Sequence, residues 1–178
     1  MKKLLLLILP FLFVGCGEVS STPTKKVEAF FASYQTLEED VISDLDKLVD
    51  NETKFNDEQK RVYKELMKNH YQDLKYEIKD EIVDGDEATV VVEIEVKDYS
   101  KILDEAESYL NNNQDDFKNS DGSYDESLFT TYRLNEMQKV DETVKYTLDI
   151  YLTKIDTEWR INDLSNTDLM KIQGIYNY

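Results

Sequence analysis

One histidine and one cysteine bound the chemistry open to this chain of 178 residues. A thiol nucleophile needs a basic partner, and structural zinc needs several Cys or His ligands at short spacings, so Cys16 and His70 supply neither. His70 stands between Asn69 and Tyr71 at an expected helix terminus, where an exposed or capping role is expected ahead of that of a catalytic base. Carboxylates are the remaining acid-base groups. Asp80 and Asp163 are the candidate catalytic residues, because each interrupts a face that otherwise reads as apolar, and burial there would raise a carboxyl pKa toward working pH. A bulge or strand end that turns the side chain to solvent is the simpler expectation for both. Tyr34, Tyr76, Tyr146 and Trp159 are candidate pocket-lining residues with polar tips, and ordinary core is again the simpler reading. The stretch from Asp115 to Gly122 invites a calcium-loop reading. Aligning Gly122 with the loop glycine brings Asp121 and Asn119 into place, but it puts Phe117 at the first ligand position and Leu128 at the final glutamate, so a solvated acidic loop and no metal are expected. The acidic run Glu38-Glu39-Asp40 reads as solvated in the same way. Few glycines and only two prolines leave a phosphate-cradling loop poorly supported, and no cofactor is implied.

The amino terminus indicates where these groups would work. Met1-Lys2-Lys3 followed by the apolar run from Leu4 to Val14 has the form of a secretory leader, and the run is too short for the ~20 residues of a membrane-spanning helix. Leu12-Phe13-Val14-Gly15-Cys16 resembles the lipobox of bacterial lipoproteins, with Phe13 where a leucine is usual. The resemblance implies cleavage of a signal peptide at 1–15 and acylation, palmitate included, of Cys16 as the new first residue. A lone thiol is otherwise awkward in an exported chain. Residues 16–22 then form a tether whose part from Gly17 to Thr22 reaches at most about 20 Å. The expected location is a bacterial cell membrane, lipid-anchored, outside the cytoplasm. The formal charge is −17, and removing the two positive charges of Lys2 and Lys3 takes it to −19, which opposes phosphate backbones and excludes nucleic acid as a partner.

Residues 23–178 read as one α+β domain. Thr22-Pro23 is a helix start, and Val27, Phe30, Phe31, Tyr34 and Leu37 form one apolar stripe, continued at Val41, Leu45 and Leu48. Asn56 and Gln59 form a capping box for a helix with Val62, Tyr63, Leu66 and Met67 inward, ending near Asn69-His70. Leu74, Tyr76, Ile78 and Ile82 alternate with charged residues in a first strand, and Ala88, Val90, Val92, Ile94 and Val96 alternate in a second, joined at Asp84-Gly85-Asp86. A helical insert spans 98–138: Asp98 caps a helix with Tyr99, Ile102, Leu103, Ala106, Tyr109 and Leu110 inward, and Ser123 with Glu126 caps another with Tyr124, Leu128, Tyr132 and Met137 inward. Val144 to Leu152 make a third strand, and Trp159 and Ile161 lie on one face of a fourth. The expected architecture is an antiparallel sheet of about four strands packed on amino-terminal helices.

Three features in order, Pro23 to Phe31, Gly85 to Val90 and Thr157 to Ile161, resemble the cystatin-like, nuclear transport factor two-like superfamily. That resemblance implies a curved sheet closing over a helix to form a cone with a pocket. It also implies a function drawn from a range running from small-molecule enzymes to noncatalytic binding and dimerising domains, with a homodimer among the partners. The leading expectation is a lipid-anchored noncatalytic domain that binds a small ligand, a peptide or a protein. The alternative is an isomerase or dehydratase with one pocket carboxylate, Asp80 or Asp163.

Overall fold

The computed structural model describes residues 21–177. Cys16, the expected leader and most of the expected tether fall outside that range. Helix α1 (Pro23–Thr36) satisfies each donor of its first turn. Thr22 accepts from Lys25 N at 3.2 Å through its side chain and from Lys26 N at 3.1 Å through its carbonyl, while Pro23 has no N–H to place. The remaining donor, Thr24 N, goes to Glu81 Oε2 at 2.8 Å. Leu37 takes a left-handed conformation with φ 54° and ends the helix. The apolar spacing that the sequence carries past Leu37 therefore belongs to a second helix, α2 (Glu39–Asn51), which buries Val41, Leu45 and Val49. Helix α3 (Asp57–Asp73) opens on the expected capping box, with Gln59 N donating to Asn56 Oδ1 and Asn56 N donating to Gln59 Oε1, both at 2.9 Å. It runs past Asn69-His70 to Asp73, and Leu74 leads straight into the sheet.

Strands β1 (Lys75–Asp84), β2 (Glu87–Lys97), β3 (Thr143–Ile155) and β4 (Glu158–Ile161) pair antiparallel in sequence order. Gly85, φ 61°, turns β1 into β2, and Asp156, φ 57°, turns β3 into β4. Two helices interrupt the meander between β2 and β3: α4 (Tyr99–Asn112), capped by Asp98, and α5 (Glu126–Met137). A 3-10 turn, Gln114–Phe117, lies between them, and a short α6 (Asn166–Ile172) follows β4. The α5 cap is Asp125, which accepts from Ser127 N and Leu128 N, and not Ser123. This shifts the inward face: Phe129, Leu134 and Met137 are buried, while Tyr124 and Leu128 are exposed and Tyr132 is half-buried. Phe117 and Phe129 pack with Ala106 in a small second core that ties the insert together.

One face of the sheet is packed solid. Val90, Val92, Ile94, Leu148 and Ile150 are all 0% exposed, as are Val27 and Phe31 of α1 on the covering layer. At ~1.5 to 3 kcal/mol per buried side chain of this size, these rows are the main source of stability. β1 departs from the simple alternation. Its pairing with β2 shifts between Ile78 and Asp80, so that Ile78 faces Val92 in the core, whereas Asp80 faces Val91 and Ile82 faces Thr89 on the open side. Ile82 is therefore 57% exposed and does not join Leu74, Tyr76 and Ile78 in the core. The same shift turns Glu81 to the helix side, where it meets α1.

Gln59 also joins the first helices to the insert. Its buried amide donates to Ser127 O at 2.8 Å and to Thr131 Oγ1 at 2.9 Å. Urea unfolding of Gln59→Ala should show a loss of about 2 kcal/mol, since the change removes the two bonds to the insert together with the acceptor for Asn56 N, against about 1 kcal/mol for Asn56→Ala, which removes only the cap.

Candidate functional site

The candidate carboxylates lie in solvent. Asp80 sits on the open side of the bulge and accepts from the neighbouring Glu81 N at 2.9 Å, and Asp163 is exposed just after β4. Neither occupies the apolar enclosure that would make it a pocket acid. The four aromatic candidates do not share one site. Tyr76 is stacked on Phe31 with centroids 5.1 Å apart, and Trp159 is buried under the Lys154 ammonium, 5.7 Å from its ring. Tyr146 is buried and donates to the Tyr176 carbonyl at 2.8 Å, with its edge reaching a shallow acidic cleft beside α4. Only Tyr34 faces a cleft with apolar walls.

That cleft, about 560 Å³, opens between α1, α2, α3 and the carboxyl end of α6. Its size falls in the range typical of small-ligand sites. Phe30, Tyr34 and Tyr71 make a continuous aromatic wall. Phe30 meets Tyr34 edge-on at 5.2 Å, and Tyr34 meets Tyr71 at 4.9 Å with the rings nearly perpendicular. Leu45 and Leu48 of α2 line it beside the rings, and the polar groups at its margin are led by Asp40, Asp44 and Gln173. Burial, reinforced by the negative charge of Asp44, pushes the Tyr34 hydroxyl up to about 12, so it stays a neutral hydrogen-bonding group at any ordinary pH. Asp44 is bridged to Lys47 at 2.8 Å, both side chains being largely in solvent.

Asp40 belongs to the run Glu38-Glu39-Asp40 that reads as solvated, Asp44 is not singled out by the residue pattern, and Tyr71 and Gln173 carry no signal of their own. The available signal is the four-residue interval between Asp40 and Asp44 directly alongside the α2 stripe of Val41, Leu45 and Leu48, which puts both carboxylates at the edge of an apolar helix face. The calcium-loop carboxylates are used internally: Asp115 pairs with Lys118 at 2.6 Å, and Asp121 accepts from Ser123 Oγ at 2.6 Å. Among the described residues, no group of three or more His, Cys, Asp or Glu side chains is arranged to hold a metal ion.

His70 is buried, 2% exposed, which corrects the expectation of an exposed ring. It does not cap α3, which runs on to Asp73; Nε2 instead donates to the carbonyl of Ile172 at 2.8 Å, at the end of α6. A hydrogen on Nε2 leaves Nδ1 as a bare acceptor, and it has no partner among the described residues. Tyr99 lies alongside with ring centroids 5.0 Å apart, and Gly174, φ 70°, passes so close that a Cβ there would meet Lys97 O at 2.1 Å and His70 Cε1 at 3.0 Å. The Gly174 carbonyl in turn accepts from Tyr99 N and Ser100 N at the start of α4. His70 thus belongs to a structural junction of α3, α4 and α6.

Burial, more than the opposing Ile172 hydrogen bond and Asp73 charge, lowers the His70 pKa to about 4 from 6.5. The folded state prefers the neutral ring, so this contribution is complete above pH 6.5 and is lost as pH falls toward 4. Urea titrations across that window should show a steeper loss of stability in the parent chain than in His70→Gln, which keeps a donor for Ile172 O but cannot take up a proton; parallel curves would contradict the assignment. Comparison of the whole chain with known proteins adds no relative to this geometry: no family model, no curated protein and no solved structure matches it.

Proposed function

We propose that this chain is a lipid-anchored, noncatalytic binding or interaction domain on the outer side of a bacterial membrane, tethered through acylated Cys16. The observation that carries the reading is the filled interior. The helix-covered face of the sheet is occupied by its own side chains, with Val90, Val92, Ile94, Leu148 and Ile150 wholly excluded from solvent. An enzyme working inside a sheet-and-helix cone needs a hollow there and an acid aimed into it. Asp80 and Asp163 are both on the surface instead. Binding is then a property of the outside of the domain, at clefts between helices or on the open side of the sheet. The order of elements, an aromatic-striped helix ahead of a four-stranded antiparallel sheet, is compatible with a cystatin-like, nuclear transport factor two-like domain. Among the described residues no helix is long and apolar enough to cross a membrane.

Attachment is tested in a bacterial host by labelling with radioactive palmitate. The parent chain should take up label and fractionate with membranes, and Cys16→Ala should lose both, because two or more acyl chains at ~0.8 kcal/mol per buried methylene hold a protein that one chain cannot. Unchanged labelling of the variant would reject Cys16 as the anchor.

A further inference from the structure

We propose that the cleft between α1, α2, α3 and the end of α6 binds an organic ammonium, a protonated amine carried on an apolar body. This rests on the binding-domain reading and names the class of ligand. Three features of the cleft converge on a cation. Its wall contains the partly exposed rings of Phe30 and Tyr34 backed by the buried Tyr71, and aromatic faces attract ammonium groups within about 6 Å of their centroids, more strongly where water is displaced. Among the described residues, the ionised side chains that line it are Asp40 and Asp44, one helical turn apart, with Lys47 reaching Asp44 from outside the lining. The Tyr34 hydroxyl and the Gln173 amide add neutral hydrogen-bonding groups beside those carboxylates.

The remaining walls define the rest of the ligand. Val41, Leu45, Leu48 and Leu169 give the cleft an apolar lining able to hold a ring or a short alkyl chain, which would bring the ammonium to the acidic margin. Asp40 forms no ion pair among the described residues, and the Asp44 pair with Lys47 is an exposed contact of the kind that contributes little and exchanges readily. Both carboxylates can therefore turn to an incoming cation without breaking the fold. An anion of the same shape would meet two like charges.

Isothermal titration of the full-length chain in detergent tests this with two ammonium probes, phenethylamine as a free amine and N-acetyl-lysine amide as a lysine side chain. Binding of either supports the proposal and identifies the source of the ammonium. Phenylacetate, the same ring bearing a carboxylate, should bind weaker by about tenfold or more, and Asp40→Asn combined with Asp44→Asn should cost about tenfold in amine affinity. Leu48→Lys, which brings a positive charge into the cleft, should have the same effect and guards against a folding defect in the first variant. Failure of both probes, equal binding of phenylacetate, or unchanged amine affinity in a folded neutralised variant overturns the inference. These outcomes are separable from the anchor: a chain that takes up palmitate but binds neither probe overturns the ammonium site and leaves the tethered binding domain standing, whereas one that binds amine without palmitate overturns only the tether.

Discussion

A sheet with one wet face must find a dry cover for the other, and here that cover begins with α1. Val27 and Phe31 are fully excluded from solvent, and Phe31 stacks on Tyr76 of β1 while the helix lies across the strands. An isolated hairpin such as β1-β2 would be marginal in water, so the long strands owe their existence to this contact and to the backing of α3. Everything else is arranged around the filled layer. The insert adds Tyr99, Leu134 and Met137 to that core and carries a small second core of its own, and α6 contributes Ile172.

The open face is stabilised differently. Lys75 pairs with Glu95 at 3.1 Å, and Glu93 is shared by Lys145 at 2.9 Å and Lys79 at 3.4 Å. Such exposed pairs add little individually and are weakened by salt. Their value is in keeping a broad flat surface charged and strands in register. Three of the 21 Lys and Arg residues of a chain with net charge −17, Lys75, Lys79 and Lys145, are used in these pairs.

Much of the architecture was legible because its signals are local. Period-two rows of β-branched residues marked β2 and β3, and the Thr22-Pro23, Asn56-Gln59 and Asp98 caps marked three helix starts. The misreadings arose where one residue changes the phase or where distant segments decide burial. An extra residue in β1 moved Ile82 to solvent, and choosing Ser123 over Asp125 as a cap rotated the expected face of α5. His70 looked terminal and exposed because the segment that buries it, Ile172 to Gly174, lies far along the chain. The ammonium cleft draws on four helices, with Tyr34 the one lining residue named from the sequence as a pocket candidate. No periodicity within a single helix predicts a hollow between several.

The bond from Thr24 N to Glu81 carries a mechanical consequence. The bulge in β1 directs a carboxylate onto the first turn of α1, so the end of the domain nearest the leading residues is clipped to a long hairpin. Tension applied there is shared with the ladder of β1 and β2 instead of unwinding α1 from its tip. A pull on the first turn of α1 is thus carried sideways into the strands through the Thr24–Glu81 bond.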